Sequence, residues 1–290
     1  MAANTAIKGI ERFDADIYRS SNQDLQALGM SDEELRTHFT EAGYREQRVF
    51  GRTETATEYL SMRHLRGSGL EIGAGRHPTP IFGDARVDYA DVEDGALFGG
   101  GDVHFRYSLD DDPPETLLGH YDFLIASHVL EHADSVIRSV RNACRIIKPS
   151  GLAYLVVPDM ECLDDSRWMP RFDLEHHLAE FRDSTVFAQM HDDLAFPRMI
   201  DEQMAMLREA GSGDAMVYGQ IDLQTFMREF ATEQDRKRLR FMTHKHTYTF
   251  DGWMELMVDL KRVLDEQFAI RDCQYGLHRR DCHFVLRRVP

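Results

Sequence analysis

YDFLIASHVLEHADSVIRSVRNACRIIKPSGLAYLVVPD, residues 121–159, is the stretch that decides the fold. It opens on a nearly continuous apolar run, YDFLIAS (121–127), as a strand buried on both faces of a parallel sheet requires. SVIRSVRNACRII (135–147) follows with apolar residues at i, i+3 and i+4 steps, which predicts an amphipathic helix. KPSG (148–151) breaks that helix, and LAYLVVP (152–158) reads as a second buried strand. Strand, helix and strand in this order predict an α/β sheet of parallel strands with helices on its faces.

The same alternation extends upstream. GLEIG (69–73) and ARVDYAD (85–91) are strand candidates, and VHFRYS (103–108) is a weaker one. Downstream, residues 159–245 turn acidic, rich in His and Met and mainly helical, with GSG (211–213) as a turn. DGWMELMVDLKRVL (251–264) is another amphipathic helix, and FAIRDCQYG (268–276) and DCHFVLRRV (281–289) close as a strand pair. Residues 1–50 read as a small helical module. Within it, SDEEL offers Ser31 as N-cap with Glu34 three residues on, a capping box, and Gly43 is the expected C-cap. The expected organisation is thus a module over 1–50 and a main domain over 51–290, with 159–245 inserted after the fifth strand.

Composition narrows the function. The 290 residues carry a formal charge of −16, which argues against a nucleic-acid partner. The compact basic run DRKRLR (235–240) reads as a solvated helix face. No apolar run reaches the length of a membrane span, and the start of the chain does not look like a secretory signal. The four cysteines, at 144, 162, 273 and 282, form no CxxC pair, so a structural zinc site is not expected and reduced thiols in the cytoplasm are.

The first strand ends in GLEIGAGRHPTP (69–80), where Gly73 and Gly75 let backbone N–H groups approach a ligand closely. A dinucleotide fingerprint needs a third glycine opening a helix, and Pro78 stands there. Glu71 would set an anion beside the ligand, which repels a pyrophosphate and suits the ammonium and sulfonium of S-adenosylmethionine (SAM). Eighteen residues after Gly73 the second strand ends at Asp91, placed to accept from ribose hydroxyls. Asp88 competes for that role, but regular alternation puts it within the strand. Asp110, in SLDDD, is the candidate for the adenine amino group. Ser127 and His128, at the end of the fourth strand, complete the expected cofactor set.

These residues carry a family resemblance. LEIGAG, the acid-ended VDYAD and the whole of 121–159, with its His-x-x-Glu-His pattern, resemble class I SAM-dependent methyltransferases. The likeness covers about residues 66–160 and 250–290. It implies a doubly wound, Rossmann-like, seven-stranded sheet and SAM as cofactor. RHPTPIFGD, following GAG, departs from the family: two prolines stand where a long first helix usually begins. GRHPTP resembles a bacterial subgroup in which that helix is short or absent. At the N-terminus, FDADIYRSSNQDLQALGMSDEELRTHFTEAGYREQR resembles a helical module of bacterial glycosyltransferases and other glycan-assembly proteins. Tyr18, Asn22, Asp24, Leu25, His38, Gly43 and Arg48 carry that match.

The expected activity is O-methylation of a sugar or glycan intermediate. A natural-product or other small-molecule acceptor is the alternative, as is a non-catalytic SAM-binding scaffold. A hydroxyl acceptor calls for a base. His128, His132, His176, His191 and His246 are the candidates, with His132 and His191 first because Glu131 and Asp192 adjoin them. A divalent metal is the competing use of such residues, with His128, Glu131, His132 and Asp192 as its ligands; imidazoles would then favour a borderline ion over Mg²⁺. Trp168, Trp253 and DEQMAMLREA (201–210) read as packing.

Overall fold

The computed structural model describes residues 9–46, 48–75, 77–92, 103–162, 170–194, 244–276 and 281–290. Among them are strands β1 (Ser68–Ile72), β2 (Arg86–Asp91), β3 (Phe105–Arg106), β4 (Tyr121–Ser127), β5 (Ile147–Pro158), β6 (Phe268–Gly276) and β7 (Asp281–Arg288). They form one sheet in the order β3-β2-β1-β4-β5-β7-β6. The pairs β3/β2, β2/β1, β1/β4 and β4/β5 are parallel, and β6/β7 is antiparallel. This is the doubly wound, seven-stranded sheet expected from the sequence. Strand order reverses between β1 and β4, and open α/β sheets bind ligands beyond the carboxyl ends of strands at such a switch. KPSG departs from its reading as a plain helix stop. It lies within an irregular start of β5, with Ser150 at φ 66° and a register shift against β4.

Among the described residues the helices include α1 (Ala15–Ser21), α2 (Gln23–Gln26), α3 (Asp32–His38), α4 (Ala56–His64), α5 (Val136–Ile146), α6 (Leu174–Arg182) and α7 (Phe250–Val263). The chain divides into two compact units. One comprises residues 1–127, 142–156 and 265–290, and the other 128–141 and 157–264.

In the first unit, β4 fills the middle of the sheet, and Phe123, Leu124, Ile125 and Ala126 are all buried. Gly69 on β1 lies under the Phe123 ring, where an added Cβ would come within 2.0 Å of it. Between β1 and β2 the described residues form a loop with no helix, as the two prolines imply. The loop covers the sheet together with α4: Ile81 and Ala85 join Leu60, Leu65, Phe123, Ile125, Tyr154, Val156 and Val285 in one cluster. Burying a side chain such as Ile81 stabilises by about 1.5–3 kcal/mol.

The N-terminal helices pack onto that loop. Tyr18, Leu25, Leu35, Phe39, Tyr44 and Phe50 form a second cluster with Met62 of α4 and Phe82 of the loop. Ser31 and Glu34 make the expected capping box at α3. Gly43 is not a left-handed cap. The chain continues through a wide turn, Phe39–Gly43, closed by Tyr44 N–H to Phe39 O at 2.8 Å. A Cβ at position 43 would stand 1.7 Å from the Tyr18 hydroxyl, so close approach is what calls for glycine there.

In the second unit, α7 buries Trp253, whose Nε1–H donates to Pro158 O at 3.1 Å and whose ring meets Tyr248 edge-on. Trp168, GSG, DEQMAMLREA and DRKRLR lie outside the described residues.

Candidate functional site

The Gly turn is fixed from behind by Glu71. This β1 carboxylate is wholly buried and accepts from the Thr79 N–H at 3.0 and 3.2 Å and from the Thr79 hydroxyl at 2.8 Å. Burial pushes its pKa up, and the Thr79 bonds act against that rise. The strand end and the middle of the loop are thereby clamped together. Between them Gly73 (φ 70°) and Gly75 (φ 52°) both take left-handed backbone, and a Cβ at Gly75 would meet nothing within 4 Å. Gly73 N–H donates to Ala90 O at 2.9 Å, which seats the turn beside the end of β2.

Asp91 is the last residue of β2, and its Oδ1 accepts from Val92 N–H at 2.7 Å. Asp88 lies within the strand, and Tyr121 Oη donates to it at 2.9 Å. Asp110 stands in a hydrogen-bonded turn after β3. There the Asn142 amide donates to Leu109 O (2.9 Å) and Asp111 O (2.8 Å), and the Tyr107 hydroxyl donates to Asp111 O (3.0 Å). Ser127 ends β4, and His128 follows in left-handed backbone at φ 57°.

Among the described residues, two groups of side chains with metal-ligand chemistry stand in the second unit. In the first, ligand atoms of Glu131, His132 and His244 lie within 4.8 Å of one another. The His132 and His244 rings meet edge-on at 4.8 Å. His128 Nδ1 is 3.2 Å from Glu131 Oε1. Burial works against the ionised Glu131, yet the hydrogen bond from His128 and the nearby imidazoles hold its carboxyl below the usual range. Glu131 O accepts from the N–H groups of Lys245 (2.6 Å) and His246 (3.1 Å), and Lys245 Nζ pairs with Asp134.

The second group gathers His176, His191 and His246 around Glu180. Glu180 Oε1 lies 3.0 Å from His176 Nε2, 2.9 Å from His191 Nε2 and 3.1 Å from His246 Nε2. His177 joins at 3.6 Å through Nδ1 and meets Tyr248 Oη through Nε2 at 2.7 Å. Burial pushes His246 down to about 3, with Glu180 opposing. Three of the five histidines read singly as bases therefore share one buried carboxylate. Glu180 itself escaped the sequence reading, as did its clamp-like counterpart Thr79; the available signal for Glu180 was its place four residues after His176 on a helix. Asp192, named beside His191, belongs to neither group.

Residues 42–193, just over half of the chain, match the family model described as a methyltransferase domain, and the chain belongs to that family. It is a SAM-dependent methyltransferase. No curated protein matches the chain. Among solved structures, it is similar to one described as a Zn-dependent alcohol dehydrogenase from Rhodobacter sphaeroides: 13% identity, 80% of this chain and 88% of that one, TM-score 0.41. The CurJ carbon methyltransferase shares 14% identity over 78% of this chain, which spans 49% of that one, at a TM-score of 0.38. A SAM-dependent methyltransferase from Thermotoga maritima shares 11% over 88% and 95% of the two chains, also at 0.38. At these values none of the three bears on activity or substrate.

Proposed function

We propose that the chain transfers the methyl group of SAM to a hydroxyl of a sugar or glycan intermediate, with His132 as general base. The grouping of His132 with ionised Glu131 and His244 carries this reading. The cofactor residues are Glu71, Gly73, Gly75, Asp91, Asp110, Ser127 and His128. They suit SAM because the open, left-handed turn at Gly75 adjoins an acid at the end of the neighbouring strand. Bound SAM supplies a methyl group already activated on a sulfonium. Asp91 accepts from the ribose hydroxyls, and the Glu71–Thr79 clamp holds the turn in shape. A ring nitrogen of His132 takes the acceptor hydroxyl's proton as the new O–C bond forms and the S–C bond breaks. The Glu131 carboxylate stabilises the imidazolium that results.

The N-terminal likeness to glycan-assembly modules supports the acceptor class, and through it glycan-assembly proteins as partners. The free thiols of Cys144, Cys273 and Cys282 support a cytoplasmic setting. Among the described residues no helix is long and apolar enough to cross a membrane. The test is a screen of sugar nucleotides with SAM, followed by turnover and melting temperature for His132→Ala. The expected result is a rate about 10²–10⁴-fold lower at unchanged melting temperature. Turnover at the wild-type rate would favour an amine or thiol acceptor, which needs no strong base.

A further inference from the structure

We propose that His176, Glu180, His191 and His246 bind a divalent transition metal of the zinc class. This site is separate from the proposed base and does not depend on the acceptor. All four residues are buried, with relative exposures of 9% for His176, 1% for Glu180, 2% for His191 and 0% for His246. They come from three segments of the second unit: α6, the helical stretch 188–194 and the segment 244–248. Three imidazoles and one carboxylate converging on one point is the donor set of a borderline metal, whereas Mg²⁺ and Ca²⁺ take oxygens.

The hydrogen-bonding arithmetic favours an ion at the centre. Three Nε2 atoms stand 2.9–3.1 Å from one oxygen, Glu180 Oε1. As donors they would crowd three N–H groups onto an atom with two lone pairs. His176 Nε2 makes no aligned hydrogen bond there despite its 3.0 Å approach. His246 Nε2 sits as close to Oε2, at 3.0 Å, and that oxygen also lacks a hydrogen-bond partner. With the protons on Nδ1 instead, the three Nε2 lone pairs are free for an ion beside the carboxylate, and the Nδ1–H groups of His191 and His246 stand buried without a hydrogen-bond partner. Zinc bonds of about 2.0–2.1 Å place tetrahedral ligand atoms about 3.3 Å apart; the three contacts to Oε1 would open by a few tenths of an ångström to reach that, and all the ligand atoms lie within 4.8 Å of one another.

The ligands are held before any ion arrives. His176 is stacked between Phe172 (3.9 Å, 10°) and Phe187 (4.3 Å, 6°). Phe172 also meets His191 edge-on at 5.3 Å. His176 and Glu180 are one helical turn apart on α6 and so share a face. Four protein ligands complete a tetrahedral shell, the closed arrangement of a structural zinc site, and the ion would tie the three segments of the unit together.

The experiment strips the full-length protein with dipicolinate and titrates it with CoCl₂ and then ZnCl₂. The expected result is one equivalent of Co²⁺ with the intense visible bands of a four-coordinate site, displaced by Zn²⁺, and a higher melting temperature on loading. Glu180→Gln and His246→Gln should abolish the bands, and His132→Ala should keep them. X-ray absorption of the zinc-loaded wild type is the control that needs no variant, and it should show three imidazoles in the first shell. Folded wild type that binds neither ion at micromolar concentration would overturn the proposal. So would bands that survive in folded Glu180→Gln, or a shell with two imidazoles or fewer.

Discussion

The Tyr44 hydroxyl accepts from the Asp84 N–H at 2.8 Å and donates to the Asp84 carboxylate. Tyr44 belongs to the N-terminal helices, and Asp84 to the loop that replaces the helix between β1 and β2. The Ser61 hydroxyl of α4 reinforces the link by donating to Pro80 O on the same loop. With Thr79 clamped to Glu71, the loop behind the Gly turn is held from two sides. Through Tyr44 and the cluster around Phe82 the first fifty residues thus contact the loop that follows the Gly turn.

Removal of residues 1–52 strips the cluster from Met62 and Phe82. The truncated protein should melt lower and be less soluble than the full chain. Phe39→Ala is the milder version. Phe39 is fully buried, and its truncation should cost about 3–5 kcal/mol in denaturant unfolding. A truncation as stable as the full chain would show that the cluster contributes little.

Thr79→Val removes the hydroxyl that bonds buried Glu71 and leaves the backbone bond in place. A hydrogen bond to a charged group contributes about 1.5–3 kcal/mol, and the loss should appear in unfolding free energy. Because the clamp closes the Gly turn, affinity for S-adenosylhomocysteine should fall with it. Equal affinity in the two proteins would separate the clamp from the cofactor.

Asp91→Ala should weaken S-adenosylhomocysteine binding by about 1.5–3 kcal/mol, the worth of a charge-assisted bond to the ribose. Asp88→Ala should instead act on stability, because its partner is Tyr121. Titration calorimetry with unfolding curves distinguishes them, and the reverse ranking would exchange their roles.

His64 supplies a pH dependence. It is buried on α4, with Nε2 2.8 Å from Asp272 Oδ2. Burial lowers its pKa from the ordinary 6.5, more than Asp272 raises it. The unfolded chain therefore takes up a proton near 6.5 while the folded chain resists it. This contribution to stability is present above 6.5 and is lost as pH falls from there through the folded value. Between pH 7.5 and 5.5 the wild type should lose more stability than His64→Gln. Parallel pH profiles would contradict the assignment.

The sheet was legible because β4 and β5 are near-continuous apolar runs, and Asp91 because its strand ends on it. The missing helix was legible in Pro78 and Pro80. Of the first histidine group Glu131 and His132 were legible as neighbours and His244 was not, and the convergence on Glu180 was not legible. His191 was paired in the reading with Asp192, its neighbour in sequence, but the carboxylate that meets it belongs to Glu180, eleven residues back. His246 reaches the same carboxylate from 66 residues away. Spacing along a chain identifies partners within one helix, as for His176 and Glu180. It carries no information on segments that meet only after the chain has folded. The Tyr44–Asp84 contact was hidden for the same reason.

We propose that the Gly73–Gly75 turn and Asp91 form the SAM site. Titration calorimetry of the full chain with S-adenosylhomocysteine and NAD tests it most directly. The expected result is clear binding of S-adenosylhomocysteine, weakened by Asp91→Ala, and weaker or no binding of NAD. Tighter binding of NAD than of S-adenosylhomocysteine would contradict it.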